Sequence, residues 1–461
     1  MIQKPVDSAG IGPGDAHTWH LVLPDSTTAP TLCRAASYNQ ARHHSAASHA
    51  ANTPVAFCIA ATFELPGPVV LSALEAAFTH LVHRHEVLRT RYRSARDGVI
   101  CDLYAPEDVR LEHVDAGPLT SHTAVRTHLH DTFRQVDPVA GPLVVMGVIA
   151  RAASATVFVA CDHLVTDVLS ATIAAADIAT AYRDFVRGRP STPVPAGSYL
   201  AYARDEREQN QALDVGHARL NHWKEFTSRH DDFFPAFPLA LGVEPGVWYP
   251  PVNTTSQLLN GRESELLEGR CEENGGRLVH GLLAAVAVAV RDEGGPDVYR
   301  ALMPLNRRGR GQYEDALGWF VNAVPIEVPV PRRSCLGELV AGARKAHAAA
   351  RAHADVHYVR AWQLLAPADT PGTGYRPVCF FSYLDFRGTP GDRHPAMHGM
   401  AVHVWASAAN GIFLWLHRNH SGLHLNALYA DTPQARHTTT ALNGALVRTL
   451  HRFTGPGPLT R

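Results

Sequence analysis

The stretch "ATVFVACDHLVTDVLSATIAAADIATAYRDFVRG" (155–188) carries the pattern that decides the fold. Its first part is apolar and rich in β-branched residues, as in a buried strand. After Asp167, the apolar residues recur with the 3.6-residue period of a helix. His163 and Asp167 stand between the two patterns. The sequence therefore predicts a strand that turns into a helix, with a histidine and an aspartate at the turn.

Similar signals occur on the N-terminal side of this stretch. "VAFCIAATFEL" (55–65) and "GPLVVMGVIA" (141–150) read as strands, and the second is expected beside the strand at 155–163. "VLSALEAAFTHLVHRHEVLRTRYR" (70–93) predicts an amphipathic helix with Ser72 as its N-cap, followed by a strand. Residues 1–30 show no such pattern and are expected to be a loose lead-in. Alternating strands and helices predict an α/β or α+β fold.

The length and one proline-rich segment indicate how the chain is divided. At ~150 residues per domain, 461 residues suggest two or three compact units. The prolines and small residues of "GRPSTPVPAG" (188–197) do not continue a helix. We therefore expect an N-terminal unit over residues 1–190 and a C-terminal unit over residues 191–461.

Composition argues against several classes of protein. A net charge of −1 gives no electrostatic reason to bind nucleic acid or an anionic membrane. The longest apolar run, "LVHGLLAAVAVAV" (278–290), falls short of the ~20 residues of a membrane span and predicts a buried core helix. The N-terminus lacks the basic start and apolar stretch of a signal peptide. Seven cysteines without C-x-x-C spacing suit reduced thiols, so a cytoplasmic protein is expected.

The histidines do not predict a metal site. The 28 histidines are dispersed and form no H-E-x-x-H pattern. The densest group, "RHHSAASH" (42–49), lacks the regular spacing of metal ligands, and most histidines are expected on the solvated surface. The chain also lacks a G-x-S-x-G nucleophile motif, which argues against a hydrolase.

Several segments taken in chain order resemble the motifs of one family. These segments are "SYNQARHH" (37–44), "HRHEVLRTRY" (83–92), "VDPVAGPLVVMGVIA" (136–150), "CDHLVTDVLS" (161–170), "LNHWKEF" (220–226) and "LGWFVNAVPIEV" (317–328). They are similar to the S-x-x-Q-x-R, R-H-E-x-L-R-T, G-P-L, H-H-x-x-x-D-G, tryptophan-helix and I-G-x-F-V-N motifs of the condensation-domain family of nonribosomal peptide synthetases. "RHEVLRT" and "LGWFVN" are the most specific of these matches.

The resemblance implies a fold and an activity. The fold would be two lobes, each like chloramphenicol acetyltransferase, in a V-shape around a central tunnel. The activity would be that of a free-standing condensation enzyme of natural-product, antibiotic or nonribosomal peptide biosynthesis. It would transfer an acyl group from a carrier-protein thioester to an amine or hydroxyl, forming an amide or ester. No cofactor would be bound permanently, because a partner acyl or peptidyl carrier protein supplies the 4'-phosphopantetheine arm. The acceptor would be a small molecule or carrier-bound.

The resemblance also assigns roles at the turn. His163 corresponds to the second histidine of the motif and would act as the general base, since a histidine pKa lies near neutrality, or as a group that positions the acceptor. The alternative is a strand-end histidine bonded to the backbone. Asp167 would pair with an arginine, either Arg307 or Arg308 in "MPLNRRGR". Asp167 also suits the N-terminus of a helix, where the dipole favours an acid.

Two residues depart from the motif. Asp162 stands where the family has its first histidine, and a carboxylate there would raise the pKa of His163 or hydrogen-bond its ring. Val168 stands where the family has glycine. A β-branched residue lacks the backbone freedom of glycine, so Val168 is expected to narrow the substrate path or to signal lost activity.

Further residues are assigned by the same resemblance. Trp319 and Asn322 would brace the tunnel, with core packing favoured for Trp319. A strand entering a loop at 379–388 would line the acceptor side, which makes Ser382, Tyr383 and Asp385 candidates for substrate contact. The charged group Arg84, His85, Glu86 and Arg89 is expected to form a structural junction between helix and strand.

Two other functions remain open. One is an acyltransferase that uses coenzyme A directly, although the chain lacks the D-F-G-W-G segment of such relatives. The other is a catalytically silent module that docks a partner protein, which the departures at Asp162 and Val168 favour.

Overall fold

The structure is a computed structural model that describes residues 1–24, 29–49, 56–96, 98–191, 195–229, 233–309, 311–366 and 377–455. Its strands are β1 Ile2–Gln3, β2 Gly14–Val22, β3 Leu32–Ala35, β4 Phe57–Pro66, β5 Thr90–Ala95, β6 Gly98–Leu103, β7 Arg110–Leu119, β8 Val144–Ala150, β9 Ser154–Asp162, β10 Pro251–Asn260, β11 Val298–Asn306, β12 Val321–Pro329, β13 Ser382–Asp385, β14 His398–Ala406, β15 Ile412–Asn419 and β16 Gly422–Ala430. Its helices are α1 Tyr38–His49, α2 Leu71–Arg84, α3 His122–Arg134, α4 Val168–Val186, α5 Tyr199–Gln211, α6 Asn221–Ser228, α7 Gly261–Glu273, α8 Leu278–Asp292, α9 Leu336–Arg351, α10 Tyr358–Leu365 and α11 Pro433–Thr454.

The chain divides into two compact units, and neither is continuous in sequence. The first comprises residues 1–211, 306–321 and 388–407, and the second comprises the remaining segments. The single boundary expected near residue 190 is therefore corrected. Helix α5 stays with the first unit, and β14 returns to it because β14 pairs with β4 and β1. Such long-range pairing leaves no mark on local composition.

The first unit is built on one large sheet. Within the described residues its strand order is β1-β14-β4-β9-β8-β2-β7, antiparallel except for β1 beside β14. Strand β2 lies between β7 and β8, and Trp19 on it is fully buried. The expectation that residues 1–30 form a loose lead-in was wrong for Gly14–Val22, whereas residues 25–28 lie outside the described residues. Histidine and threonine interrupt the apolar alternation of "HTWHLV", so the strand is hard to recognise from sequence.

The predicted strand, turn and helix at 155–188 are confirmed. Strand β9 is buried along almost its whole length between β4 and β8. Asp167 caps α4, since its side chain accepts a hydrogen bond from the backbone N–H of Ser170 at 2.7 Å. The alanine-rich inner face of α4 packs against α2. The turn between β9 and α4 is therefore held at both ends by regular structure.

The junction after α2 is structural, as predicted, although Ser72 is not the cap. Helix α2 begins at Leu71 after Val70, whose side chain makes no capping bond. The buried Arg89 guanidinium donates to the carbonyls of Val82, His83 and Tyr104. Nε2 of His85 lies 2.7 Å from Oδ2 of Asp177 on α4. These bonds tie the end of α2 to its neighbours.

The second unit contains its own sheet and core. Strands run in the order β10-β16-β15-β13 within the described residues, with β13 parallel to β15. The core forms around α8, where Leu282, Leu283 and Ala285 are fully buried, so the predicted core helix at 278–290 is confirmed. Among the described residues no helix combines the length and apolarity that a membrane crossing requires.

Candidate active site

His163 lies in the turn directly after β9, and its ring has a defined orientation. Its Nδ1 lies 2.7 Å from the backbone carbonyl oxygen of Thr166. A carbonyl oxygen accepts only, so Nδ1 must carry the proton and donate it. In the neutral ring this leaves Nε2 with its lone pair. The backbone bond that sequence reasoning offered as an alternative to function is therefore present, and it leaves the Nε2 lone pair able to accept a proton.

Aromatic rings hold the imidazole of His163. The Trp319 indole stacks on it with ring centroids 3.6 Å apart and planes 14° apart. The Phe57 ring is also near-parallel to it, at 5.8 Å. Trp319 is half-buried and so is not the core residue favoured from sequence, and its ring contacts His43 as well as His163. This stacking limits rotation of the ring about its side-chain bonds.

The electrostatic surroundings of His163 keep it neutral. Burial, as the largest effect, and the nearby His43 together lower the pKa of His163 to about 4, against smaller raising effects from the Thr166 carbonyl, Asp162 and Asp167. Asp162 does raise the pKa of His163, as expected. The net shift is nevertheless downward, because burial and His43 outweigh Asp162. At neutral pH the ring is therefore neutral, with its proton on Nδ1, and Nε2 can accept a second proton.

Asp162 does not hold the His163 ring, contrary to one of the two sequence hypotheses. Its fully buried carboxylate accepts the backbone N–H of Leu164 at 2.7 Å. The same carboxylate lies 3.1 and 3.3 Å from Nε2 of His43 on α1. A second side chain also holds the backbone of Leu164: Nε2 of Gln40 donates to the Leu164 carbonyl at 2.7 Å. Asp162 thus holds the backbone of the turn and does not orient the imidazole of His163.

Asp167 pairs with Arg308 and not with Arg307. Nη2 of Arg308 lies 3.2 Å from Asp167 Oδ1 and 2.7 Å from the hydroxyl of Ser170, and all three side chains are buried. The guanidinium also stacks on Phe320, whose backbone N–H donates to Asp167 Oδ2 at 3.0 Å. Arg307 is exposed. The aspartate is therefore both a helix cap and an ion-pair partner, and the two sequence interpretations coexist.

Val168 occupies the first turn of α4. A residue there has helical backbone angles, which a β-branched side chain adopts without strain, so the fold does not need glycine at this position. Val168 is half-buried. Its backbone gives no reason to expect a loss of activity.

Gly318 places Trp319 next to the turn. Its φ of 151° is a value that residues with a side chain rarely adopt, and an added Cβ would lie 2.1 Å from Cδ2 of Tyr199. The hydroxyl of Ser170 donates to the backbone carbonyl of Gly318 at 2.8 Å and accepts from its backbone N–H at 3.1 Å. The Tyr199 hydroxyl in turn donates to the Trp319 carbonyl at 3.2 Å. Glycine is required here for both conformation and space.

We expect Gly318→Ala to destabilise the protein and to displace Trp319. The clash with Tyr199 and the strained φ together should lower the free energy of unfolding by roughly 2 kcal/mol or more. Urea denaturation measures this loss. Gly342→Ala is the matched control, because Gly342 lies inside α9 with no atom within 4 Å of an added Cβ. Equal stability of the two variants would contradict this account of Gly318.

The remaining predicted site residues lie in the second unit. Asn322 is buried there; its Nδ2 donates to the carbonyls of Ala354 and Val356 at 3.0 and 2.8 Å, so it braces backbone. Ser382, Tyr383 and Asp385 lie on β13, which pairs with β15. Asp385 forms an ion pair with Arg387 at 2.7 Å. Substrate contact by these three residues stays a prediction.

Sequence reasoning missed His43 and Phe57. Most histidines were expected on the solvated surface, yet His44 is buried and His43 is only partly exposed. One signal was available for His43: an aspartate in a buried strand needs a partner, and a nearby histidine is a natural one. Phe57 carries no such signal. Across the described ranges, no group of histidine, cysteine or acidic side chains has the arrangement of a metal site.

Comparison with known proteins identifies the family. The sequence model described as Condensation domain matches residues 37–369. That range contains the turn with His163 and the "LGWFVN" segment, and it spans more than half of the chain. The family assignment made from the motifs is thereby confirmed.

Curated relatives and solved structures agree with this match. The chain is 26% identical over 326 residues to the 2'-acyl-2-O-sulfo-trehalose (hydroxy)phthioceranyltransferase PapA1 of Mycobacterium tuberculosis, covering 69% of this chain and 63% of that protein. It is 23% identical over 399 residues to the acyltransferase PapA3 of the same species, covering 85% and 83%. The chain therefore spans less than two thirds of the length of PapA1.

A solved structure supports the fold class. The structure of the PapA2 acyl transferase superposes with a TM-score of 0.85 at 21% identity, covering 99% of this chain and 100% of that one. Likeness at this identity concerns the fold, and it confirms the mixed α/β fold predicted from sequence. Its motifs, its fold and the matched residues 37–369 together make this chain a member of the condensation-domain family.

Proposed function

We propose that this chain is an acyltransferase in which Nε2 of His163 is the general base. It moves an acyl group from a pantetheine thioester to a hydroxyl of a small polar acceptor and so forms an ester. The observation that carries the proposal is the hydrogen bond from Nδ1 of His163 to the Thr166 carbonyl, which leaves Nε2 free to accept a proton.

His163 alone can carry out both proton transfers of this reaction, first as the base and then as the acid. Nε2 takes the proton of the acceptor hydroxyl while its oxygen attacks the thioester carbonyl carbon. The tetrahedral intermediate then expels the thiolate, and the imidazolium returns the proton to it as a thiol. An imidazolium whose pKa is about 4 is a strong acid beside a thiol of pKa ~8.5, so this second transfer is strongly favourable. The low pKa therefore assists departure of the thiol.

The relatives support a hydroxyl acceptor. The name of PapA1 describes acylation of a sulfated trehalose, and the chain shares 26% identity with it over 326 residues. By this reasoning we favour ester over amide formation. The source of the thioester is a carrier protein or coenzyme A, since both present the same pantetheine arm.

The test measures transfer from each source separately. The purified chain is incubated with an acyl carrier protein thioester or with the acyl-coenzyme A ester, each with a sugar acceptor and with an amine acceptor, and products are detected by mass spectrometry. We expect ester product that depends on His163, and the donor with the higher kcat/KM identifies the partner. Product from the amine alone would overturn the hydroxyl assignment. Absence of transfer with every combination, together with tight binding of a partner protein, would favour the docking module instead.

The pH dependence of this reaction follows from the pKa of His163. The acid limb of kcat/KM reports the base in the free enzyme. With the pKa lowered to about 4, Nε2 stays unprotonated from pH 8 to 6, and activity falls only as the pH approaches 4. We expect no acid limb near pH 6.5, the ordinary value for histidine. Rates from pH 4 to 8 check this, with tryptophan fluorescence at each pH to confirm that the chain stays folded.

A further inference from the structure

A second histidine lies beside the His163 turn and has a buried acid as its partner. Nε2 of His43 on α1 lies 3.1 Å from Asp162 Oδ1, and the Asp162 carboxylate is almost completely buried. A buried carboxylate is costly without hydrogen bonds or a cation. The Leu164 N–H supplies one bond and His43 supplies the other. His43 therefore stabilises the acid at the end of β9, and the acid fixes the His43 ring.

The same His43 ring contacts Trp319. The His43 and Trp319 centroids are 5.7 Å apart with planes 80° apart, an edge-to-face contact. Trp319 stacks on His163 at 3.6 Å. The contacts run from Asp162 to His43, to Trp319 and to His163, and the chain itself joins His163 back to Asp162. The proposed base is therefore one member of a closed cycle of four residues in contact.

We propose that His43, held by Asp162, is a positioning residue of this site that fixes Trp319 and, through it, the imidazole of His163. The inference rests on the proposed role of His163 as base. His43 itself is not required to touch the substrate. Asp162 stands where the resembling motif has a histidine, so in this chain a histidine from α1 and an acid from β9 support the turn together.

The pair also sets the charge around His163. The titratable groups that face His163 are His43 on α1, Asp162 at the end of β9 and Asp167 at the start of α4. The Asp162 side is faced in addition by His44, Cys58 and Cys161. His43 lowers the pKa of His163, whereas Asp162 raises it. Removing the two partners one at a time should therefore move this pKa in opposite directions.

The test compares His43→Gln and Asp162→Asn in the full-length chain. Glutamine still donates to Asp162 but lacks the ring and the charge, and asparagine still accepts from Leu164 but lacks the charge. The pKa of His163 is measured by NMR on histidine-labelled protein, with its signal identified by its absence in His163→Gln. We expect the pKa to rise in His43→Gln, which loses a lowering neighbour, and to fall in Asp162→Asn, which loses a raising one. His49→Gln, an exposed position on the same helix, is the matched control and should leave it unchanged.

The kinetic readout separates positioning from binding. We expect His43→Gln to lower kcat about tenfold with KM little changed, because the base is less well oriented toward a substrate that still binds. If the folded His43→Gln variant keeps both the wild-type kcat and the wild-type pKa of His163, the inference is overturned. Should the wild type transfer no acyl group at all, the proposed function fails, and the NMR titration alone still decides the role of His43.

Discussion

His163→Gln is expected to reduce kcat/KM for acyl transfer by about 10²–10⁴-fold, the usual contribution of a general base. Glutamine keeps a side chain of similar reach but has no lone pair that accepts a proton at neutral pH. The hydrogen bond to the Thr166 carbonyl can be retained by its amide, so the turn should stay folded. The measurement is kcat/KM with the thioester donor that gives the faster wild-type reaction.

A buried histidine away from the site provides the control. His403 on β14 also places Nδ1 2.7 Å from a backbone carbonyl, that of Lys4, and burial lowers its pKa to about 4 as well. His403→Gln should lower stability while leaving kcat/KM near the wild-type value. If both variants lose activity to the same extent, the loss at His163 reflects a general effect of removing a buried histidine, and the assignment of the base is wrong.

Arg308→Met is expected to lower the free energy of unfolding by about 3–5 kcal/mol. Methionine retains part of the apolar contact with Phe320 but removes the guanidinium, which leaves the buried Asp167 carboxylate without its cation. It also removes the bond to the hydroxyl of Ser170. Chemical denaturation gives the magnitude. Because this pair holds the start of α4, activity should fall in parallel.

Two comparisons isolate the ion pair. Arg307→Met changes the adjacent, exposed arginine and should alter stability by less than about 0.5 kcal/mol. Asp167→Asn combined with Arg308→Met removes the unpaired charge, so the double variant should be more stable than Arg308→Met alone. Equal losses for Arg307→Met and Arg308→Met would show that the pair contributes nothing specific.

Most of the site that lies within one segment could be predicted from the sequence. The strand β9, the cap Asp167 and the helix α4 follow from local periodicity and from the preference of an acid for a helix N-terminus. The pairing of Asp167 with one of two adjacent arginines needed the structure. Arg307 and Arg308 point to different environments, and only the second is buried.

The contacts from distant segments were not predictable in the same way. Strand β14 joins the first sheet more than three hundred residues after β4, so the boundary expected at residue 190 did not describe the units. His43 reaches Asp162 from α1, and Trp319 reaches His163 from the segment after Gly318. Each depends on how separate elements pack, and local sequence patterns carry little of that information.

The most direct test of the central claim is the protonation state of His163, measured by ¹⁵N NMR across a pH titration of the histidine-labelled chain. The account predicts a neutral ring at pH 7 with the proton on Nδ1, a lone pair on Nε2 and a pKa of about 4. A proton on Nε2 at pH 7 would contradict the role of His163 as a general base that is ready to act, and a pKa near the ordinary value of 6.5 would contradict the effect ascribed to its burial.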